Sequence, residues 1–304
     1  MPPVLIIIFV PQIAPMPRLR PLLLLVFLLS GIALRAQEFS GGFRAGLNFI
    51  SFDGDQEMRD GMTLEEFKRT TGFHVGATFA YALTDLFGFK ADLMYSQKGG
   101  EVLYRGPSYF YVYGDASDAQ GIRVTGDLDS ERDVLNSYID IPAVVYYKLG
   151  PVELEGGVSA GLLVNSRASG SASFTNTLQA DGRAIDPVSY NYDYNYFGDP
   201  IGFDAIVEPN DSRPGFPAVI DAYYNASDNR PLYRRLDFGI VGGASLFLNN
   251  GLYLGLRYQY GLTDATRGEN DQRLTRTDGS ADREYNTDDK DYNRVIQTSV
   301  GFRF

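Results

Sequence analysis

The chain has 304 residues, a formal net charge of −11 and a pI near 4.6, with 27 Lys and Arg against 38 Asp and Glu. That balance excludes a binder of nucleic-acid backbone, which needs a basic stripe to displace counterions from phosphate. The chain has no Cys and no Trp but 21 Tyr, 20 Phe and 33 Gly, so its stability must come from backbone pairing and packing, and its composition leans towards strands.

Residues 1–36 read as a secretory leader. Arg18 and Arg20 supply a basic region, Leu22 to Leu29 an apolar run, and Ala33-Leu34-Arg35-Ala36 a small-x-x-small cleavage site before Gln37. The apolar run falls short of the roughly 20 residues a spanning helix needs. Met1 to Pro15 carries no basic residue, which makes Met16 the expected initiator. The mature protein is expected to begin at Gln37 and to form one domain, 37–304, with no apolar stretch long enough for a helical span. Membrane residence would therefore have to be through strands.

Read with period two, residues near 40–52, 72–84, 86–97, 136–149, 152–165, 235–248, 252–264 and 294–304 give eight segments. Each meets the roughly 9–11 residues that a tilted membrane strand requires. In the sixth, Leu236, Phe238, Ile240, Ala244, Leu246 and Leu248 share one face, opposite Asp237, Gly239, Gly243 and Ser245. In the seventh, Leu252, Leu254, Leu256, Tyr258 and Tyr260 oppose Tyr253, Gly255, Arg257, Gln259 and Gly261. The eighth places Ile296, Val300, Phe302 and Phe304 opposite Gln297, Ser299, Gly301 and Arg303. Apolar-out, polar-in alternation suits a wall between lipid and lumen.

The connections alternate as well. Leu83-Thr84-Asp85, Leu149-Gly150-Pro151 and Asn249-Asn250-Gly251 are short turns, whereas 53–71, 98–135, 166–234 and 265–293 are long and polar. This parity predicts an all-β, eight-stranded antiparallel transmembrane β-barrel with periplasmic turns and long extracellular loops. Because hydrocarbon leaves no backbone N–H or C=O a water partner, the first strand should close on the eighth. Pro142, which has no N–H to give a ladder, is expected at a bulge or near a strand end.

The inward positions collect charge: Arg44, Lys90, Asp92, Asp140, Glu153, Glu155, Asp237, Arg257 and Arg303. One reading is an ion or substrate path. The other is a plug of mutually paired charges, favoured because an eight-stranded barrel is just wide enough for side chains to fill. His74, the only histidine, falls on the inner phase of the second segment with Gly76 as its neighbour there and no serine beside it. Some eight-stranded barrels edit lipid A with His, Ser and an acid; a hydrogen-bonded residue near a strand end is the favoured reading here. No catalytic residue, cofactor or metal is assigned. Glu269, Asp271, Asp278, Asp282, Glu284, Asp288, Asp289 and Asp291 crowd one loop, but without the order of a calcium loop and with basic residues between them, as on a solvated face. Tyr190-Asn191-Tyr192-Asp193-Tyr194-Asn195-Tyr196-Phe197 alternates like a ribbon above the membrane, and Tyr with Asn also suits a recognition loop.

Several segments resemble a known family. Tyr138-Ile139-Asp140-Ile141-Pro142-Ala143-Val144-Val145-Tyr146-Tyr147 is similar to the tyrosine, acid, Ile-Pro and apolar run of the PorT-like outer-membrane β-barrel proteins of Bacteroidetes. Gly255-Leu256-Arg257-Tyr258-Gln259-Tyr260-Gly261-Leu262-Thr263-Asp264 resembles their penultimate strand, Gly301-Phe302-Arg303-Phe304 their ending, and Phe43-Arg44-Ala45-Gly46-Leu47-Asn48 their first strand. The resemblance implies a bacterial outer-membrane location, contact with outer-membrane lipid and lipopolysaccharide, and insertion by the barrel-assembly machinery, with Phe302 and Phe304 as the assembly signal. It also brings in type IX protein secretion, in which the founding member takes part. The expected role is a non-enzymatic barrel with a plugged lumen and long loops that meet a protein or glycan ligand; a secretion component, a narrow pore and a lipid-editing enzyme are the alternatives.

Overall fold

The computed structural model describes residues 39–56, 58–59, 61–112, 122–179, 181–197, 233–249, 251–266 and 290–304. The leader lies outside these residues, as do all the loop acids named above except Asp291. The strands are β1 (Phe39–Asp53), β2 (Met58–Arg59), β3 (Met62–Thr63), β4 (Glu65–Lys68), β5 (Thr70–Ala82), β6 (Phe87–Val112), β7 (Ile122–Leu149), β8 (Val152–Gln179), β9 (Val188–Asn195), β10 (Leu236–Asn249), β11 (Leu252–Asp264) and β12 (Tyr292–Arg303).

Eight of them form a ring in the order β1, β5, β6, β7, β8, β10, β11, β12. The ring closes where β12 meets β1, antiparallel from Gly42↔Arg303 to Asp53↔Tyr292. Closure leaves the ring no open edge in a medium that offers no competing hydrogen bonds. The outward rows stay bare: Leu47 and Phe49 on β1, Val75 and Phe79 on β5, Leu154 and Val158 on β8, and Leu254 and Leu256 on β11 are all exposed. A contiguous apolar collar of this extent is the surface lipid would cover. Inward rows are polar and buried, so the hydrophobic effect here works against the bilayer rather than within a conventional core.

The short connections lie where the sequence predicts them. Leu83 N–H donates to Phe87 O at 2.9 Å, and Phe87 N–H donates to Thr84 Oγ1 at 3.0 Å. Gly150 turns with φ 61°, and Asn249 pairs with Leu252.

In two of the long intervals the described residues form strands where loops are predicted. β6, β7 and β8 run for 26, 28 and 28 residues, well over twice the roughly 9–11 a span needs. Beyond the ring, β6 pairs with β7 as far as Val112↔Ile122, and β7 with β8 as far as Val124↔Gln179. β4 adds to the β6 edge and β9 to the β8 edge. Much of 98–135 and of 166–195 is therefore a sheet standing above the membrane. The Tyr-Asn repeat forms β9, in register with β8 from Arg167↔Asn195 to Phe174↔Val188, so its alternation is that of a ribbon. Arg105 pairs with Asp129 across β6 and β7, and Arg167 with Asp193 across β8 and β9. Hydrogen bonding from Arg167 holds the Asp193 carboxyl below its usual range. Both pairs are solvent-exposed and fix register more than they stabilise.

Barrel becomes platform at a defined level. Gly99 takes φ 132°, where a Cβ would also strike the Val134 carbonyl. On the neighbouring ladder a register shift falls between Ser137 and Tyr138. Both irregularities bend strands where curvature must change. Gly99→Ala is expected to cost roughly 1–3 kcal/mol of local strain. It should make 101–135 newly sensitive to limited proteolysis while the barrel keeps its heat-dependent gel shift. An unaltered proteolytic pattern would show that Gly99 does not set this junction.

Pro142 sits neither at a bulge nor near a strand end, correcting that expectation. It lies inside β7, pairing with Ser159 of β8, while pairing to β6 skips from Ala91↔Ala143 to Met94↔Asp140. The missing donor is tolerated because the ladder is interrupted on that side alone.

Candidate functional site

The lumen holds the only dense constellation of ionisable groups among the described residues. β1 sends in Arg44, β6 Lys90 and Asp92, β7 Asp140, β8 Glu153 and Glu155, β10 Asp237, β11 Arg257 and β12 Arg303. All are buried or nearly so because strand alternation aims every second side chain at the axis.

Seven of these form one chain of alternating sign. Arg303 Nη1 is 2.8 Å from Glu153, Lys90 Nζ bridges Glu153 at 2.8 Å to Glu155, and Arg257 Nε donates to Glu155 at 2.6 Å. Arg257 Nη1 then reaches Asp92 at 2.9 Å, and Asp92 accepts from Arg44 at 3.2 Å. The remaining two, Asp140 and Asp237, share a cation that falls in the predicted loop 98–135. Lys98 Nζ lies 3.0 Å from Asp140 and 2.8 Å from Asp237, with no exposure. Its ammonium also stands 5.0 Å from the Tyr138 ring centroid. Gln259 completes this cluster with its amide oxygen 2.7 Å from Lys98 Nζ and its nitrogen 3.3 Å from Asp140. Lys98 was legible in principle, since it continues the even-numbered inward phase of Lys90, Asp92, Met94 and Ser96. The third segment is predicted to end at 97, whereas β6 continues through a bend at Gly99.

With Lys98 included, the lumen carries Arg44, Lys90, Lys98, Arg257 and Arg303 against Asp92, Asp140, Glu153, Glu155 and Asp237. The charges balance, and each has an opposite neighbour. Desolvating an ion costs several kcal/mol unless a partner compensates, so this pairing is a condition of filling the barrel with charge.

His74 corrects the sequence reading in two respects. It lies well within β5 rather than near a strand end, and a serine does stand beside it, delivered by β12. His74 Nε2 is 2.9 Å from Ser299 Oγ and Nδ1 is 2.7 Å from Asn48 Oδ1. Asn48 Nδ2 donates to Ser96 Oγ at 3.1 Å and to Gln97 O at 2.7 Å, which leaves Oδ1 as the acceptor for His74 Nδ1–H. Nε2 then accepts from the Ser299 hydroxyl, whose oxygen accepts from Arg44 Nη2 at 2.7 Å. Serine, histidine and an orienting amide stand in the order of a nucleophile relay. Yet His74 is 1% exposed and Ser299 5%, with Arg44 already bound to the hydroxyl. The relay joins the Arg44 end of the ionic chain to β5 and has no room for a substrate beside it.

Aromatic side chains stand towards both ends of the lumen. At the turn end Tyr253 lies across Gly301, at a place where a Cβ would collide with the ring. At the outer end Phe52, Val102, Val134, Leu163, Tyr196 and Tyr233 form an apolar cluster, with Phe52 and Tyr233 stacked at 6.2 Å. Phe302 and Phe304 sit on the outside of the seam: Phe302 stacks on Phe43 at 6.1 Å, and Phe304 N–H donates to Gly41 O at 2.9 Å.

Residues 35–267 match the family described as outer membrane protein beta-barrel domain. The chain belongs to that family. This beta-barrel domain protein is therefore a resident of the bacterial outer membrane, with its collar in lipid and lipopolysaccharide around it. The match stops before β12, but β12 pairs with both β1 and β11 and completes the same domain. No curated protein matches the chain. Among solved structures it is similar to Ail, the attachment invasion locus protein of Yersinia pestis, at 10% identity and a TM-score of 0.33, covering 88% of this chain and 99% of that one. It is also similar to OprG from Pseudomonas aeruginosa, at 12% identity and TM-score 0.32, covering 88% and 97%. A third is the outer membrane protease OmpT from Escherichia coli, at 6% identity and TM-score 0.29, covering 88% and 97%. The fold assignment rests on the closed ring of strands and on the family match.

Proposed function

We propose that this protein is a closed, non-conducting and non-catalytic outer-membrane barrel whose specific role is carried by the β platform above the membrane. The observation that supports this reading is the balanced lumen, in which each of five cations and five anions has an oppositely charged neighbour, beneath an apolar cluster. An ion path needs sites that are left partly unpaired so that a permeant ion can enter and leave. An active site needs a nucleophile that a substrate can reach, and Ser299 is enclosed. The platform, with exposed Asn191, Asp193 and Asn195 of β9 along its edge, offers a polar surface that suits a protein or glycan ligand.

Planar-bilayer recording tests the closed lumen. The purified wild-type protein is expected to give no stable current steps, and reproducible unitary conductance would overturn the reading. Secretory processing at Ala36, giving a mature N-terminus at Gln37, belongs to the same proposal and is checked by intact mass.

The strand motifs around Tyr138–Tyr147 and Gly255–Asp264 favour a PorT-like subgroup, which brings type IX secretion in as a second reading. A deletion strain with normal export of secreted proteins would dismiss it.

A further inference from the structure

A groove of about 330 Å³ opens on the outer wall of the barrel, over β1, β11 and β12 and beside the start of β5. Its position is informative. The lining comes from the long-loop ends of these strands, so the groove stands at the outer face of the membrane. Its lower wall is Phe49, Tyr258 and Ile296, which belong to the outward, lipid-facing rows. One step further along the same rows the lining turns polar, with Ser51 opposite Arg294 in the β1–β12 register, and Arg69 alongside. A surface apolar below and cationic above, on the wall itself, is matched to an amphipathic neighbour rather than to a soluble one.

Arg294 is held as a donor would need to be. Its guanidinium carbon lies 3.5 Å from the Tyr260 ring centroid, and Nη1 donates to Gly261 O at 2.9 Å and Asn293 O at 3.1 Å. Asp53 sits 2.6 Å from Nη2. These contacts take Nη1 completely and one side of Nη2, leaving Nε–H for a ligand. Asp53 offsets one cation, and the second guanidinium, Arg69, keeps the groove net positive. Stacked, pre-oriented arginine is the side chain best suited to a phosphate oxygen.

We propose that this groove seats a phosphorylated glycolipid of the outer leaflet, its phosphate against Arg294 and Arg69 and an acyl chain along Phe49, Tyr258 and Ile296. The inference rests on the outer-membrane placement alone and is independent of whether the lumen conducts. Neither arginine takes part in the lumen network, so the site and the plug are separable by substitution.

The test is native mass spectrometry of the full chain in detergent, offered bis-phosphorylated lipid A or the same lipid after enzymatic dephosphorylation. Wild type should prefer the phosphorylated lipid by about tenfold, the scale of one or two charge-assisted hydrogen bonds. Arg69→Gln should erode that preference several-fold, and Arg69→Gln with Arg294→Gln should abolish it. Because Arg69 is exposed and lies outside any strand, R69Q retains the heat-dependent gel shift and keeps the test sound even if R294Q does not fold. Equal binding of both lipids by wild type, or an unchanged preference in R69Q, would overturn the proposal. Displacement of the lipid by millimolar inorganic phosphate would show a simple anion site and overturn the glycolipid assignment.

Discussion

Lys98→Met is expected to lower the unfolding free energy of the folded barrel by about 3–5 kcal/mol, the cost of stranding buried charge. The lysine is the cation shared by Asp140 and Asp237, and all three lie out of solvent. Methionine keeps much of the volume of the side chain, so the loss would report charge rather than a cavity. Adding Asp140→Asn and Asp237→Asn removes the stranded anions, and that triple variant should recover most of the stability. The measurement is a urea titration in lipid vesicles followed by the gel shift between heated and unheated samples. Arg105→Gln serves as the contrast, because its partner Asp129 and its own side chain are exposed; it should change stability by no more than about 0.5 kcal/mol. Equal midpoints for K98M and wild type would mean that Lys98 is not the keystone of the upper lumen.

Deleting Phe304 is expected to reduce the yield of folded barrel severely, whereas excising 180–232 should leave it nearly unchanged. Phe304 closes the seam between first and last strands through its backbone bond to Gly41, and its ring stands 6.5 Å from Phe302, which stacks on Phe43. That seam is the last ladder to form if the chain pairs in order, and an unsealed edge within lipid leaves backbone groups without partners. The excised interval starts beyond the end of β8 and its described residues contribute no strand to the ring, although it takes β9 from the platform and Tyr196 from the apolar cluster. Closing a loop of different length costs little. The heat-dependent gel shift reads both variants in one experiment. Loss of the shift in the excision with retention in the Phe304 deletion would reverse the assignment of closure and platform.

Period-two alternation made the membrane part of this protein legible. Leu254, Leu256 and Tyr258 against Arg257 and Gln259 can only be a wall with one apolar and one polar side. The parity of short and long connections then fixes which end faces outward. Closure follows from the chemistry of hydrocarbon, with no further information needed. The platform was missed for the converse reason. Above the membrane water meets both faces of a strand, so 98–135 and 166–195 lose the alternation that marks a strand within lipid. Only pairing with a neighbour, such as Val124↔Gln179, makes them strands.

Phase along a strand is a local property, so alternation alone turns nine charged side chains towards the axis of an eight-stranded barrel. Their partners were a tertiary matter. Arg257 meets Asp92 from 165 residues away, His74 meets Ser299 from 225, and Lys98 joins Asp140 and Asp237 only because β6, β7 and β10 reach the same height in the lumen. Height is set by the stagger of strands around the closed ring, a quantity carried by no single segment. The balance of five cations against five anions is therefore a property of the closed barrel, and it is what permits so much charge to be buried.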